Sequence, residues 1–595
     1  MTIPRTEYPR PQFRRDDWLC LNGLWGFEAD PGDTGLERGL LDRALAGTIT
    51  VPFCPESPLS GINDWDVCAA VWYCRKVAIP ADWAGQQVLL HCGAIDYDAT
   101  VWVDGVQVGR HRGGFTSFTL EITEHAPPGA TITLVIRARD DNQRPQPRGK
   151  QARQYNPHEA LYLRTTGIWQ TVWLEPVPPT YLDRPRITPD YANQRFHIEL
   201  PLVGPRQGLR VRAILSDTQG EIIRADTSTE HDFTPTLILA ISPDRVRPWS
   251  PADPHLYDLR FEMVNNTGEI VDELHSYAGL RSITIDGKVV CLNGEIIFQR
   301  LVLDQGYYPD GLMTAPDDAT LRRDIELAQA AGFNGARLHQ KVFEERFLYH
   351  ADRLGYLVWG EFGDWGARDV GPRHDHHRHR PEFITQWLEA LHRDYSHPCI
   401  IGWCPLNETW QSLGEGIQQL DDVTRALVLA TRAMDTTRPI IDASGGSHRE
   451  PSTDVWDVHD YEQDPATFAA HYAGLSTGEV YGGLPDDGKV RSVPYSGQPY
   501  MVSEFGGISW NPDASDNANS WGYGQRPGSI EAFYTRFAGL VDALLDNPAI
   551  FGYCYTQLTD IYQEQNGIYT FDRQPKFDTA RLHAIQARRA AIEQE

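Results

Sequence analysis

Two stretches of the chain place a carboxyl group where an apolar strand stops. Ile400-Ile401-Gly402-Trp403-Cys404 is apolar without alternation, as in a parallel strand covered on both faces, and it runs into Asn407-Glu408. Tyr500-Met501-Val502-Ser503-Glu504, followed by Phe505-Gly506-Gly507, has the same form. Two such carboxyls at the open rim of one parallel barrel can break an acetal: one protonates the departing oxygen, the other attacks the carbon or activates water. Trp403 and Trp410 around Glu408 disfavour its ionised form, which suits an acid. Tyr500, Ser503, Gly506 and Gly507 around Glu504 offer donors that would keep it ionised. A single strand-end glutamate is as readily a salt-bridge partner, but two on strands four and seven of one barrel point to chemistry.

Other strand ends supply a lining. Arg337 and His339 close strand two, and cations there can hold a carboxylate or donate to sugar hydroxyls. Trp359 and Glu361 close strand three, His459, Asp460 and Tyr461 close strand six, and Tyr555 and Gln557 close strand eight. A tyrosine beside a nucleophile can donate to it and tune it. The rival reading of each is an ion pair or core packing. The run Arg373-His374-Asp375-His376-His377-Arg378-His379-Arg380 lacks any fixed ligand spacing and reads as a solvated loop, so no metal and no cofactor is expected. Asp324, Asp352 and Asp394 fall in helices and read as surface or capping residues.

These residues need a barrel to bring them together. From about residue 281 strands and helices alternate. Helices are expected over Asp317–Ala331, Glu344–Leu354, Pro381–Tyr395, Ile417–Met434 and Ser529–Leu545. Counting from Ile296-Ile-Phe-Gln-Arg, and including Pro439-Ile-Ile-Asp-Ala as the fifth, gives eight strands and a C-terminal (β/α)8 TIM barrel over 281–595. Residues 1–180 carry short strands bounded by Gly, Pro and Asp, with a hairpin at Asp104-Gly105, and read as a jelly-roll-like β-sandwich. Residues 181–280 alternate with period two and read as an immunoglobulin-like β-sandwich. The polar excursion Asp140 to Arg164 is either a plain surface loop or a functional one.

Composition sets the outer limits. With 595 residues the chain needs several cores. A net charge of −27 repels phosphate backbones, so nucleic acid is not an expected partner. Aromatic residues make up 11%, with 17 Trp and 25 Tyr, more useful as core than as sugar platforms taken one by one. Nine Cys without C-x-x-C spacing suit a reducing compartment. With no apolar leader and no long apolar run, a cytoplasmic protein with no membrane partner is expected, and a homo-oligomer is left open.

The motifs together resemble glycoside hydrolase family 2. The first sandwich has Leu21-Asn-Gly-Leu-Trp-Gly-Phe and Thr166-Gly-Ile-Trp-Gln-Thr-Val-Trp-Leu-Glu, the second Trp249-Ser-Pro-Ala-Asp-Pro-His-Leu-Tyr. The barrel has Gly332-Phe-Asn-Gly-Ala-Arg, Asp352-Arg-Leu-Gly-Tyr-Leu-Val-Trp-Gly-Glu, Asn407-Glu408 and Ser503-Glu504-Phe-Gly. The resemblance implies a retaining exo-β-glycosidase acting on a small saccharide, with Glu408 as acid/base and Glu504 as nucleophile. It implies that Asn407 bonds the 2-hydroxyl and that Arg337 and Tyr461 support the nucleophile, although His459-Asp-Tyr-Glu-Gln departs from the commoner wording. It also brings a sandwich loop to the barrel mouth, with Asp140, Asp141 and Lys150, and less directly Glu56 and Asp64, as candidates. The family's uronidases carry Asn-x-Lys where this chain reads Asn566-Gly567-Ile568. A neutral terminal sugar is therefore expected, β-D-galactoside first, with β-glucoside, β-mannoside and galacto- or arabinofuranoside open. The chain ends soon after strand eight, so a three-domain enzyme is expected. A carbohydrate-binding protein with an inactive barrel is the alternative of another class.

Overall fold

The computed structural model describes residues 3–364, 380–484, 487–511 and 520–594. The first sandwich packs Leu19–Cys20, Val172–Val177, Gln87–Cys92 and Phe118–Glu121 against a six-stranded sheet that includes Gly23–Asp30, Ala70–Ala78 and Thr131–Arg139. Its inward positions, among them Trp25, Tyr73, Leu90, Val101 and Ile136, form one core. Asp104 and Gly105 both adopt positive φ (46° and 83°) and close the expected hairpin, the backbone that the right-handed strand twist requires of a two-residue turn.

The second sandwich sets Arg186–Asp190, Arg195–Glu199 and Thr236–Ala240 against Gly220–Ser228, Leu209–Asp217, Tyr257–Asn265 and Ile270–Ala278. Apolar side chains at every second position, such as Val211, Ala213 and Leu215, fill the space between these sheets. It is fastened to the barrel by buried polar groups. Trp249 Nε1 donates to the Asp352 carbonyl at 2.7 Å, and Arg281 donates to Pro398 O and Ile400 O at 2.8 and 2.9 Å. Asp352 is itself buried, accepting from Tyr277 Oη, His397 Nδ1 and Cys399 N at 2.8, 2.6 and 2.9 Å. Asp324 pairs with buried Arg573, and Asp394 with buried Arg393. Of the two expectations for these aspartates, surface or capping, the surface one is corrected: all three are buried, and each neutralises or caps a group that the layer between helices and barrel removes from water.

The barrel follows, a parallel sheet curled around a single core. Its strands lie in the order Ile400–Cys404, Leu357–Glu361, Gly335–Leu338, Gln299–Asp304, Ile550–Thr556, Tyr500–Gly506 and Trp456–Asp460. The first strand starts at Gln299 rather than Ile296, because Glu295–Ile296 belongs to a small antiparallel meander with Ile283–Asp286 and Val289–Leu292. Helices form at Asp318–Ala330, Glu345–Leu354, Pro381–Asp394, Gln419–Met434 and Ile530–Leu545, within a few residues of expectation. Their ends follow local chemistry. The Asp317 side chain accepts from Thr320 N at the first, and the second stops at Gly355, which takes φ 67°.

The fifth strand departs from expectation. Pro439–Ala443 forms no regular strand; isolated bridges join Trp403 to Ile440 and Asn407 to Ser444. Backbone bonds tie it to strand four, with Ile441 N to Trp403 O at 2.9 Å and Glu408 N to Ser444 O at 2.8 Å. Toward strand six, carboxylates replace ladder carbonyls: Asp454 accepts from Ile440 N at 3.0 Å and Asp457 from Gly445 N at 3.2 Å. Short acidic side chains compete with the ladder for backbone donors, and here they win. Among the described residues no helix is long and apolar enough to cross a membrane.

Candidate active site

Arg337, fully buried at the end of strand two, gathers the site. Its Nη1 donates to Ser503 O and to Glu504 Oε1 at 2.7 and 3.2 Å, and its Nη2 donates to Glu361 Oε1 and Asn407 Oδ1 at 2.9 and 3.1 Å. One guanidinium thus orients groups from strands three, four and seven, a task its planar fork suits. Because Asn407 Oδ1 is taken by Arg337, its Nδ2, buried and without a hydrogen-bond partner among the described residues, is a donor left for a ligand. His339 Nδ1 lies 3.0 Å from Glu361 Oε2. Burial pushes the Glu361 carboxyl up to about 7, against the pull of Arg337.

Glu504 is the anion of the group. Tyr461 Oη donates to its Oε2 at 2.5 Å and lies 3.1 Å from Thr556 Oγ1. Burial alone would raise the Glu504 carboxyl; His459, His339, Arg337 and Lys150 around it more than offset that and hold it far below the usual carboxylate range. The Tyr461 ring is stacked on Tyr523, centroids 3.4 Å apart and planes at 4°. A side chain at Gly507 would strike Tyr523, its Cβ falling 2.4 Å from the ring, so this glycine makes room for the stack that aims the hydroxyl.

Glu408 sits opposite at φ 52°, a left-handed conformation that costs a glutamate on the order of 1 kcal/mol and is kept only where its surroundings impose it. His459 lies between the two carboxyls: its Nδ1 is 3.1 Å from Glu408 Oε1 and 3.3 Å from Glu504 Oε2. One atom from each of Glu408, His459 and Glu504 lies within 4.8 Å of the others. Among the described residues this is the one trio compact enough to share a metal ion. Arg337 already donates to Glu504, so we read the trio as a centre that handles protons rather than a cation. With one oxygen of each carboxyl within 4.8 Å of the other, the pair is close enough for one group to attack directly.

Trp359 and Tyr555 do not join these residues. Trp359 fills the barrel interior one layer below Glu361, its indole N–H donating to Gln299 Oε1 at 2.8 Å. Gly402 is a glycine because that ring covers it, 2.5 Å from where a Cβ would stand. Tyr555 faces the helices, against Phe333, Phe505 and Phe537. Trp403 also turns outward, to Trp387 and Asp435, so it is no neighbour of the Glu408 carboxyl. Arg373 to His379 of the histidine-rich run lie outside the described residues.

The excursion of the first sandwich is packed into the barrel mouth. Gly149 N donates to Gly363 O at 2.9 Å, and a Cβ at Gly149 would stand 2.0 Å from Gln340 O, so only glycine lets this loop seat between strand ends two and three. The next residue, Lys150, is buried; its carbonyl accepts from Tyr162 N at 2.8 Å, and Tyr162 Oη donates to Glu564 Oε2 at 2.6 Å. The Lys150 charge is felt at Glu504, His339 and Glu564. Asp140 is buried beneath the loop and accepts from Gln146 Nε2 at 2.6 Å, Glu56 pairs with Arg164, and Asp64 is exposed, so these three serve the loop or the surface. Asp141 is exposed as well and pairs with Arg144. Tyr523, Ser444, Asp457 and Glu564 were not anticipated. Of these only Tyr523 leaves a signal in the sequence, at Gly507, whose missing side chain makes room for its ring.

Comparison with known proteins fits this geometry. A family model described as "Glycosyl hydrolases family 2" matches residues 180–281, and one described as "Glycosyl hydrolase 2 galactose-binding domain-like" matches residues 46–170. Over these two spans the chain is similar to glycoside hydrolase family 2. It is 25% identical to a β-glucuronidase of Paenibacillus borealis over 448 residues, 71% of this chain and 72% of that one. It is 24% identical to a β-galactosidase of Thermoanaerobacter pseudethanolicus over 460 residues, 75% of this chain but only 55% of that relative's length. The fold superposes on the Ruminococcus gnavus β-glucuronidase with TM-score 0.76 at 18% identity, covering 98% and 99% of the two chains. The chain thus shares the whole architecture of that protein at low sequence identity. Asn566 is buried between Gln557 and Glu564, and Ile568 is buried and apolar.

Proposed function

We propose that this protein is a retaining exo-β-glycosidase of terminal neutral sugars, with β-D-galactosides as its leading substrates. The observation that carries the reading is the pair Glu408 and Glu504, close together and unlike in surroundings, the second clamped as an anion by Tyr461 and Arg337. In this reading a Glu504 oxygen attacks C1 while Glu408 gives its proton to the departing oxygen, so the C1–O bond breaks as the ester forms. Glu408 then takes a proton from water, the water oxygen bonds to C1, and the Glu504 carboxylate leaves. Asn407 Nδ2 is positioned to donate to the 2-hydroxyl. The loop carrying Lys150 walls one side of the site and supports action on chain ends.

Charge supports a neutral sugar. Arg337 and Lys150 already answer to Glu361, Glu504 and Glu564, and a substrate carboxylate would bring a further anion into a buried site. A second reading, a β-D-glucuronide, is favoured by the buried Lys150 and by the names of several relatives. Nitrophenyl β-D-galactoside, glucoside, mannoside, furanosides and glucuronide compared by kcat/KM decide between them. The neutral reading expects at least one neutral sugar to exceed the glucuronide by about 100-fold or more. It is abandoned if the glucuronide leads and Lys150→Met removes that lead. Roles are read by azide: Glu504→Ala should recover turnover and release an α-glycosyl azide, and Glu408→Ala a β-glycosyl azide.

A further inference from the structure

We propose that His459 is a positioning residue whose tautomer, set by Ser444 and Asp457, leaves Nδ1 bare and thereby keeps the acid's proton on Glu408. This rests on the assignment of Glu408 as acid/base made above. Asp457, buried at strand six, accepts from Ser444 Oγ at 2.6 Å, from Ser503 Oγ, and from Gly445 N. Ser444 has one hydroxyl hydrogen. If it is given to Asp457, the Ser444 oxygen can only accept from His459 Nε2, 3.0 Å away, so Nε2 carries the ring hydrogen. The reverse arrangement would press two bare oxygens together at 2.6 Å.

A neutral imidazole holds one ring hydrogen, so Nδ1 is then a lone pair. It faces Glu408 Oε1 at 3.1 Å and Glu504 Oε2 at 3.3 Å. A lone pair between two carboxylates is untenable in a buried site, and one of them must bring a hydrogen. Glu504 is already supplied by Tyr461 and Arg337, so the hydrogen belongs to Glu408. The other groups facing the ring agree. Burial first, then Arg337, hold the imidazole down at about 4, against Glu504, Asp457 and Glu361, so it is neutral at neutral pH. Gly445 packs against the ring, a Cβ there falling 3.0 Å from Nδ1, and thereby fixes its plane. The irregular fifth strand places Ser444, through its bridge to Asn407, where it can take the Nε2 hydrogen.

The direction of one pH shift tests this. A bare Nδ1 stabilises protonated Glu408, so His459→Leu should move the basic limb of kcat/KM to lower pH by about one unit, roughly tenfold in activity measured above that limb. His459→Asn, whose amide oxygen can accept near the Nδ1 position, should return part of the shift. Ser444→Ala, a smaller change that frees the tautomer, should move the limb in the same direction as His459→Leu and serves if the leucine variant does not fold. A limb that moves to higher pH, or stays put, overturns the proposal, since Nδ1 would then be a donor or a bystander. The azide products of Glu408→Ala and Glu504→Ala report separately on the assignment of roles. If they fail, the reading of the site fails; if they hold and the limb does not move as stated, only the His459 proposal fails.

Discussion

Replacing Tyr461 by Phe removes one hydroxyl and leaves the ring stacked on Tyr523 at 3.4 Å. The lost bond, 2.5 Å from Tyr461 Oη to Glu504 Oε2, joins a neutral donor to a buried carboxylate. Such bonds contribute about 1.5–3 kcal/mol, which converts to roughly 10- to 150-fold in rate. The loss should not fall equally on the two steps. In the proposed mechanism Glu504 gives up its charge as the ester forms, so Tyr461 holds the reactant as much as it helps the transition state. In breaking the ester the carboxylate regains its charge, and the hydroxyl then acts mainly in the transition state. Tyr461→Phe should therefore slow the second step more and let the ester accumulate. Stopped-flow release of dinitrophenol from an activated glycoside should show a burst approaching one equivalent, followed by turnover reduced by about 10- to 150-fold. A variant that turns over within threefold of the parent and shows no burst would refute the reasoning.

Two further predictions concern stability. Asp352→Ala orphans the Tyr277, His397 and Cys399 donors at the joint between second sandwich and barrel, and should lower stability by about 3–5 kcal/mol in urea unfolding; a loss below 1 kcal/mol would show that water replaces the carboxylate there. Glu361, pushed up to about 7 by burial, favours the folded state while protonated: its contribution is whole below the unfolded value near 4.3 and is lost as pH rises through about 7. Urea midpoints between pH 5 and 8 should fall less steeply in Glu361→Gln than in the parent, and equal slopes would remove Glu361 as the cause.

The two carboxylates were legible in the sequence because each ends an unbroken apolar strand, and Arg337, Asn407, His459 and Tyr461 because they occupy matching strand ends. Trp359 shows where that logic stops. It lies two residues before Glu361 on the same inward face, and a strand's alternation cannot tell the open rim from the layer beneath it. Tyr555 shows the other limit, since an aromatic at a strand end packs as well against helices as against a ligand. The expected fifth strand does not form as a regular one because its donors are taken by Asp454 and Asp457, residues more than ten positions onward that no local propensity connects to it. Lys150 is 354 positions from Glu504, and only the assembled molecule reveals that its charge reaches that carboxylate.

The seating of Gly149 against Gln340 and Gly363 joins the proposed site to the docking of the first sandwich on the barrel. The sandwich is synthesised first, and its protruding finger waits for a socket that does not exist until the ribosome has finished several further turns of barrel. Mild denaturant or heat that parts the two should therefore abolish turnover while each part still retains its own secondary structure, so that inactivation precedes melting.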